Sequence, residues 1–141
     1  MNSSVQSWKL VLSCAVLFLV VSGGVGMGRA QSMPDPHQVP VMDGDAGPCS
    51  ISFTVTDTKG SPIYDARIRV HIAYGFMGVK RLDLEAATNV DGKTQFKGLP
   101  EKVKGGTLMF HALQGKREGS AIYDPAKNCG GQQSSIVLAE N

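Results

Sequence analysis

From Cys49 onward the sequence alternates apolar and polar residues with a period of two, and this alternation restricts the fold more than any other feature. In residues 49–57, CSISFTVTD, the side chains of Ile51, Phe53 and Val55 alternate with serine and threonine. A period of two places one face of a β-strand against a core and the other face in water. Further strands are predicted over 66–74 and 80–88, around Phe96, and over 106–113, 119–123 and 134–139. Seven short strands separated by turn residues, with no helical period between them, predict an antiparallel β-sandwich.

The first thirty residues have the layout of a secretory signal peptide. A lysine at position 9 precedes an apolar run over 10–21, and Gly28 and Ala30 occupy the −3 and −1 positions of a cleavage site after Ala30. The alternative, a retained membrane anchor over 10–27, is interrupted by three glycines in its second half. We therefore predict an exported protein, periplasmic or extracellular, whose leader is removed.

Residues 31–48 are predicted to be a disordered linker. They contain four of the seven prolines of the chain and little apolar surface, so they lack the material for a core. The folded domain is accordingly expected to cover residues 49–141. Its roughly ninety residues are enough to bury one modest core.

The charge of the exported chain is balanced. Removing Lys9 and Arg29 from the 14 basic residues leaves 12, against 12 acidic residues. A net charge of zero offers no general attraction to nucleic acid or to an anionic membrane. We therefore expect neither as a partner once the leader is removed.

Two cysteines, Cys49 and Cys129, remain in the exported chain. In an oxidising compartment such a pair predicts a disulfide. Half of a metal site and two free thiols are the alternatives, although the spacing matches no zinc pattern. One cysteine begins the first predicted strand and the other precedes the last, so a parallel pairing of these two strands brings both sulfurs to the same end.

Residues 88–100, TNVDGKTQFKGLP, are interpreted as a structural turn followed by a strand. Glycine permits a positive φ, the aspartate is expected to bond to its own turn backbone, the leucine to close the end of the sandwich and the proline to stiffen the exit. The residues assigned these roles are Asp91, Gly92, Leu99 and Pro100. The alternative is a calcium loop of the EF-hand type. It fails because Ala87 and Gly98 occupy its first and twelfth positions, where carboxylates are required.

Two stretches resemble the carboxypeptidase regulatory-like domain, a transthyretin-like family. Residues 53–70, FTVTDTKGSPIYDARIRV, are similar to the family's opening strand, Asp-x-x-Gly turn and second strand, and TNVDGKTQFKGLP is similar to its second hallmark. The resemblance covers residues 49–139. It implies a seven-stranded Greek-key sandwich whose first and last strands pair in parallel. It also implies an accessory, envelope or adhesion role within a fold class that includes carbohydrate binders.

The loop between the second and third strands is the predicted contact surface. Its candidate residues are Tyr74, Phe76 and Met77, because aromatic and methionine side chains between glycines suit contact with a partner protein or a sugar. The alternative is that these side chains fold back on the core as a lid.

A second candidate is an anion or acidic-glycan site on one face of the second strand, formed by Arg67, Arg69 and His71. The alternative is a solvated face balanced by Asp83 and Glu85 on the neighbouring strand. A metal pair of His71 with His111 is a weaker possibility, since it lacks carboxylate or thiolate support. We predict no metal and no cofactor.

The expected function is that of a non-catalytic module that binds an envelope protein or plays a structural role. A carbohydrate-binding module is the alternative, with the aromatic side chains as stacking platforms: Tyr64, Tyr74, Phe76 and Tyr123. A small hydrolase is the third possibility, and it requires a convergent polar pocket that no motif indicates. The sequence does not predict the ligand or the oligomeric state.

Overall fold

The computed structural model describes residues 32–141, which form an all-β fold. The strands are β1 (Val41–Asp43), β2 (Cys49–Asp57), β3 (Arg67–Tyr74), β4 (Lys80–Ala87), β5 (Lys93–Leu99), β6 (Leu108–Gln114), β7 (Arg117–Tyr123) and β8 (Gly130–Glu140). A single 3₁₀ turn, Phe76–Gly78, joins β3 to β4. None of the helical structure in this part of the chain is long and apolar enough to cross a bilayer. The predicted signal peptide, residues 1–30, lies outside the described residues.

The eight strands form one mixed sheet in the order β1-β5-β2-β8-β7-β6-β3-β4. Most neighbours are antiparallel, but β1 pairs in parallel with β5 and β2 pairs in parallel with β8. The parallel pairing predicted for the first and last strands of the domain is therefore confirmed. β8 is the longest strand: residues 130–138 pair with β2, and its last two residues pair with β7. The sheet thus folds over at β8 into two layers.

One hydrophobic core lies between the two layers. The alternating positions of β2, β3 and β6 are buried, as the period of two predicts. Three aromatic rings meet at its centre: Phe53 lies 4.7 Å from Phe110 and 6.0 Å from Phe96, centroid to centroid. Ring pairs at such separations, tilted or edge to face, contribute beyond their buried area.

The strand count and the linker prediction need correction, because residues 41–43 form an eighth strand. Met42 is half-buried against the core, and the backbone amide of Gln95 donates to the carbonyl of Pro40 at 2.9 Å. The amide of Gly44 likewise donates to the carbonyl of Lys97 at 2.9 Å. An edge strand of three residues needs only backbone partners and one apolar side chain. Proline-rich composition therefore did not exclude a strand here.

The outer face of β6 is exposed, although both faces of this strand are apolar. Leu108, Phe110 and Ala112 point into the core, whereas Met109 and Leu113 are exposed at 48% and 36% of their surface. Apolar residues on both faces favour a central position for this strand, and β6 does have strands on both sides, β3 and β7. Its second apolar face is exposed because no other part of residues 32–141 covers it.

Cys49 and Cys129 form a disulfide across 80 residues of sequence. Cys49 is fully buried at the start of β2, and Cys129 directly precedes β8. The amide of Ser50 donates to the carbonyl of Cys129 at 3.2 Å, which continues the contact between the two parallel strands. The bond therefore ties together the beginning and the end of the domain.

Candidate contact surface

The loop of residues 75–79 has a defined backbone. Within it, the amide of Gly78 donates to the carbonyl of Gly75 at 3.1 Å, and that of Val79 to the carbonyl of Phe76 at 3.2 Å. Gly75, Met77 and Gly78 all have positive φ, at 76°, 53° and 69°. Glycine adopts this region readily, and a methionine there indicates that the surrounding structure holds the turn.

The apolar side chains of this loop are in solvent. Phe76 is 84% exposed, Met77 78% and Val79 72%. The alternative in which Phe76 and Met77 cover the core as a lid therefore does not describe the fold. Tyr74, the remaining candidate, is half-buried against the core at the end of β3. Three apolar side chains within four residues, all more than 70% exposed, are typical of a contact site.

The segment of residues 100–106 supports the loop from beside it. The amide of Lys104 donates to the carbonyl of Ala73 at 2.8 Å, and Tyr74 pairs with Val103 as an isolated β-bridge. Gly78 lies under Lys104 so closely that a Cβ at this glycine would come within 2.8 Å of the lysine Cδ. The two segments therefore form one surface at this end of the sandwich.

Three lysines lie beside this loop. Lys102 and Lys104 border a shallow depression beside Met77, and the stem of Lys80 packs near Gly75. The Lys80 ammonium lies 5.8 Å from the centroid of the Tyr74 ring, within cation–π range. Among residues 32–141, the ion pairs that form involve none of these three lysines. Their charges are therefore available to a ligand.

The candidate anion face is charge-balanced. Glu85 accepts from the Nη1 of Arg67 at 3.1 Å and from the Nε of Arg69. Hydrogen bonds from Arg69 and then from Arg67 hold the pKa of the Glu85 carboxyl below its usual range. The third residue of the face, His71, contacts Asp83 through its Nδ1. Glu85 and Asp83 on β4 therefore lie opposite these side chains of β3, which is the arrangement that the sequence left as the alternative.

The two histidines proposed as a metal pair lie on neighbouring strands. His111 on β6 pairs with Arg69 on β3, and His71 lies two residues further along β3. No group of three or more His, Cys, Asp or Glu side chains in the described part of the chain is placed to hold a metal ion.

The turn at residues 89–93 is held by a different side chain from the one expected. Asn89 Oδ1 accepts from the backbone amides of Asp91 at 3.1 Å and Lys93 at 2.8 Å. The Asp91 carboxylate instead lies 3.0 Å from Nδ1 of His37. The role assigned to Asp91 is therefore corrected: Asn89 organises the turn, and Asp91 binds the segment that precedes β1. The sequence placed His37 in a linker, so this contact had no local signal.

The other residues assigned to this segment are packed against β2. Gly92 has a φ of 70°, and a Cβ there would lie 2.4 Å from the carbonyl oxygen of Val55. Leu99 is fully buried opposite Cys49, and Pro100 is buried beside it. The segment therefore closes one end of the core next to the disulfide.

The tyrosines proposed as stacking platforms have different environments. Tyr123 is buried, and its hydroxyl donates to the carbonyl of Asn128 at 3.0 Å, so it is not available to a sugar. Tyr64 is 62% exposed and borders an open groove of about 530 Å³. Residues 34–41, outside the predicted domain, form the other side of this groove.

Sequence reasoning missed the contribution of Val79, Lys102 and Lys104 to the contact surface. A lysine- and glycine-rich stretch, KVKGG at 102–106, is visible in the sequence as a cationic turn. Its position beside the loop depends on the bridge between Tyr74 and Val103, which joins distant parts of the chain. No local pattern reports such a pairing.

Comparisons with known proteins show only distant structural similarity. No family model matches the chain, and no curated protein matches it. Chlorocatechol 1,2-dioxygenase from Pseudomonas putida aligns with a TM-score of 0.46 and 12% identity, over 72% of this chain and 67% of that one. Wild-type catechol 1,2-dioxygenase from Acinetobacter radioresistens aligns with a TM-score of 0.45 and 15% identity, over 74% of this chain and 59% of that one.

A shaft pilin is similar to the same degree. A double mutant of SpaA from Lactobacillus rhamnosus GG aligns with a TM-score of 0.44 and 8% identity, over 66% of this chain and 47% of that one. The chain spans about half the length of this pilin. Dioxygenases and a pilin match it equally well, so the similarity carries no argument for a particular function.

Proposed function

We propose that the chain is an exported, non-catalytic accessory module of the cell envelope that acts by binding through the loop of residues 75–79. The observation that carries this proposal is the loop itself. An ordered turn holds the apolar side chains of Phe76 and Met77 in solvent, where they contribute little to the core. Exposed aromatic and methionine side chains contribute most when a partner buries them.

Export is supported by two observations. The Cys49–Cys129 disulfide suits an oxidising compartment, where such bonds persist. The first thirty residues have the composition of a cleaved leader. We further propose that the domain is a carboxypeptidase regulatory-like sandwich. The motifs at residues 53–70 and 88–100 and the parallel pairing of β2 with β8 support that assignment.

A carbohydrate-binding module is the second candidate, favoured by the environment of Tyr64. Its exposed ring beside an open groove offers a stacking surface of the kind that binds sugar rings. The prolines at positions 34 and 36 border the same groove and stiffen its far side.

The test is capture from a detergent-free, delipidated envelope extract by tagged residues 33–141. This part of the chain is a compact unit with its own core and disulfide. If the partner of the loop is a protein or a polysaccharide, the wild type retains it and the Phe76→Ser/Met77→Ser variant loses it. Val137→Ser changes an apolar residue that is 53% exposed on β8, and this control should bind like the wild type.

Excess envelope polysaccharide separates the two candidates. Capture that survives this competitor supports a protein partner. Capture that the polysaccharide abolishes, together with loss of binding in Tyr64→Ser, supports the carbohydrate-binding module. Retention that is the same in the wild type and the loop variant contradicts the assignment of the loop as the contact surface.

A further inference from the structure

We propose that the partner of the loop is the surface of an anionic lipid bilayer. Residues 75–79 insert their apolar side chains between the headgroups, and the lysines beside them contact the lipid phosphates. This inference deepens the proposed function, on which it rests, by naming the class of surface that the loop binds.

The apolar part of the surface is suited to shallow insertion. Phe76, Met77 and Val79 stand clear of the protein, with 72–84% of their surface exposed. Because the turn is held by internal hydrogen bonds and supported by the 100–106 segment, insertion does not require the loop to reorganise. A preformed apolar projection loses less conformational entropy on binding than a flexible one.

The cationic part of the surface adjoins the apolar part. Lys80 lies next to Gly75, Lys104 next to Gly78, and Lys102 borders the depression beside Met77. None of these lysines forms an ion pair with a described residue. Glu101 is the single acid within residues 100–106. Long lysine stems can lie along an apolar surface while their ammonium groups reach the phosphates. Apolar side chains next to lysines are the pattern of interfacial anchors on anionic lipid.

The size of the surface favours lipid over a protein partner. One buried aromatic side chain covers about 150–250 Å², and each partner of a stable protein complex buries roughly 800 Å². Three side chains at the tip of a loop therefore supply only part of a protein interface. A bilayer sets no such requirement, because insertion of a few side chains and attraction of a few lysines act together.

This inference revises the expectation that the exported chain has no affinity for a membrane. That expectation rested on the balance of 12 basic and 12 acidic residues over the whole chain. The fold distributes these charges unevenly. Both arginines of β3 form ion pairs with Glu85, whereas the three lysines beside the loop pair with no described acid. A local excess next to exposed apolar side chains can bind lipid although the net charge is zero.

The experiment measures co-sedimentation of residues 33–141 with large vesicles of phosphatidylcholine, with and without phosphatidylglycerol. A cooperative thermal melt of each variant first establishes that it is folded. We expect binding to the mixed vesicles that weakens with added salt, and little binding to pure phosphatidylcholine. Phe76→Ser/Met77→Ser should weaken binding at least about tenfold, and Val137→Ser should leave it unchanged.

A matched pair of double variants tests whether the lysines beside the loop contribute to binding. Lys102→Gln/Lys104→Gln should weaken binding about fivefold for each lysine. Lys59→Gln/Lys116→Gln removes the same charge from turns at the other end of the sandwich and should have only the small effect of net charge. Equal losses in the two variants would show that net charge drives binding, and would overturn the proposal.

Two further outcomes would overturn it. One is a wild type that does not bind mixed vesicles at low salt, and the other is a loop variant that binds them like the wild type. The wild type could fail to bind the vesicles and still capture a protein or polysaccharide from the delipidated extract in a loop-dependent way. In that case the lipid inference is wrong and the proposed function stands. Vesicle binding through the loop without capture from the delipidated extract supports lipid as the partner. If both experiments fail, both proposals are wrong.

Discussion

Gly92 determines how closely the turn at residues 89–93 approaches strand β2. Its φ is 70°, its carbonyl accepts from the amide of Val55 at 2.7 Å, and a Cβ would lie 2.4 Å from the Val55 oxygen. Gly92→Ala therefore adds a backbone clash to the strain of an unfavourable φ. Gly105 is a suitable control, because its φ is 86° and an added Cβ would meet nothing within 4 Å.

We expect both substitutions to cost the strain of positive φ, about 1–2 kcal/mol. Gly92→Ala should cost at least about 1 kcal/mol more, since the clash with Val55 forces the backbone to move. Urea denaturation of the two variants measures the difference in the free energy of unfolding. Equal losses would mean that the turn adapts to a side chain, contrary to the close approach described.

His37 and Asp91 form a pH-dependent contact between the segment before β1 and this turn. The hydrogen bond and the charge of Asp91 raise the pKa of His37 above its usual value of 6.5. A raised pKa in the folded state means that the contact stabilises below about pH 6.5 and is lost as the pH rises through the folded-state pKa.

An NMR titration of the His37 ring tests this contact. The expected pKa lies above 6.5 in the wild type and falls back towards 6.5 in Asp91→Asn, because the main cause of the shift is removed. Asp124→Asn changes an acid in a loop at the other end of the sandwich and should leave the His37 pKa unchanged. The same pKa in the wild type and Asp91→Asn would contradict the contact.

At the scale of one residue, local sequence cannot decide between Asn89 and Asp91 as the side chain that holds the turn. Both can bond to a nearby backbone amide. The choice depends on His37, which lies 54 residues earlier in the sequence and contacts the Asp91 carboxylate. The need for glycine at position 92, by contrast, follows from the Asp-Gly pair alone.

Among the elements, the connection between β3 and β4 carries the candidate contact surface. The flanking strands follow from their alternation, but the exposure of Phe76 and Met77 does not. The local sequence is equally compatible with a lid on the core and with a projecting loop. The difference depends on a contact with a distant part of the chain, the bridge between Tyr74 and Val103.

Phe76→Ser/Met77→Ser should therefore leave stability nearly unchanged. Both side chains are more than three-quarters exposed, and surface substitutions away from special features usually stay within about 0.5 kcal/mol. Thermal unfolding followed by circular dichroism measures the effect, with Phe53→Ser as a destabilising control. A drop in melting temperature approaching that of the control would mean that the loop packs on the core.

The outer face of β3 and β4 gives a second prediction at this scale. Glu85 pairs with both Arg67 and Arg69, so Glu85→Gln should leave this face with one more uncompensated positive charge. We expect the variant to gain salt-sensitive retention on a polyanion column relative to the wild type, with little effect on stability because these pairs are exposed. Retention that does not change would mean that the two arginines are already free.

Across the whole molecule, the disulfide joins the two strands that begin and end the domain. It closes a loop with a sequence separation of 80, for which chain entropy predicts about 4–5 kcal/mol. That is a large share of the roughly 5–15 kcal/mol that stabilises a typical domain. Reduction should therefore lower the urea midpoint strongly, and the reductant should have no further effect on Cys49→Ala/Cys129→Ala. A midpoint that does not respond would contradict this role.

The architecture could be predicted only in part. Alternation at β2 and β3 identifies core-facing strands because the buried face is continuous, whereas both faces of β6 are apolar and its sequence does not show which one is buried. β1 could not be predicted in this way. It is an edge strand of three residues held by backbone hydrogen bonds to β5, and such bonds leave no pattern in the side chains. The parallel contact of β2 with β8 was implied by the family resemblance, and it agreed with the positions of the two cysteines, since parallel strands bring both sulfurs to the same end.

The most direct test of the proposed role is the amount of residues 33–141 retained by an intact envelope fraction, with lipid, protein and polysaccharide all present. The wild type, Phe76→Ser/Met77→Ser and Val137→Ser are compared after their melting temperatures are shown to agree. The projecting loop predicts strong retention of the wild type and of Val137→Ser, and loss of the loop variant. Equal retention of all three folded proteins would contradict the loop as the contact surface.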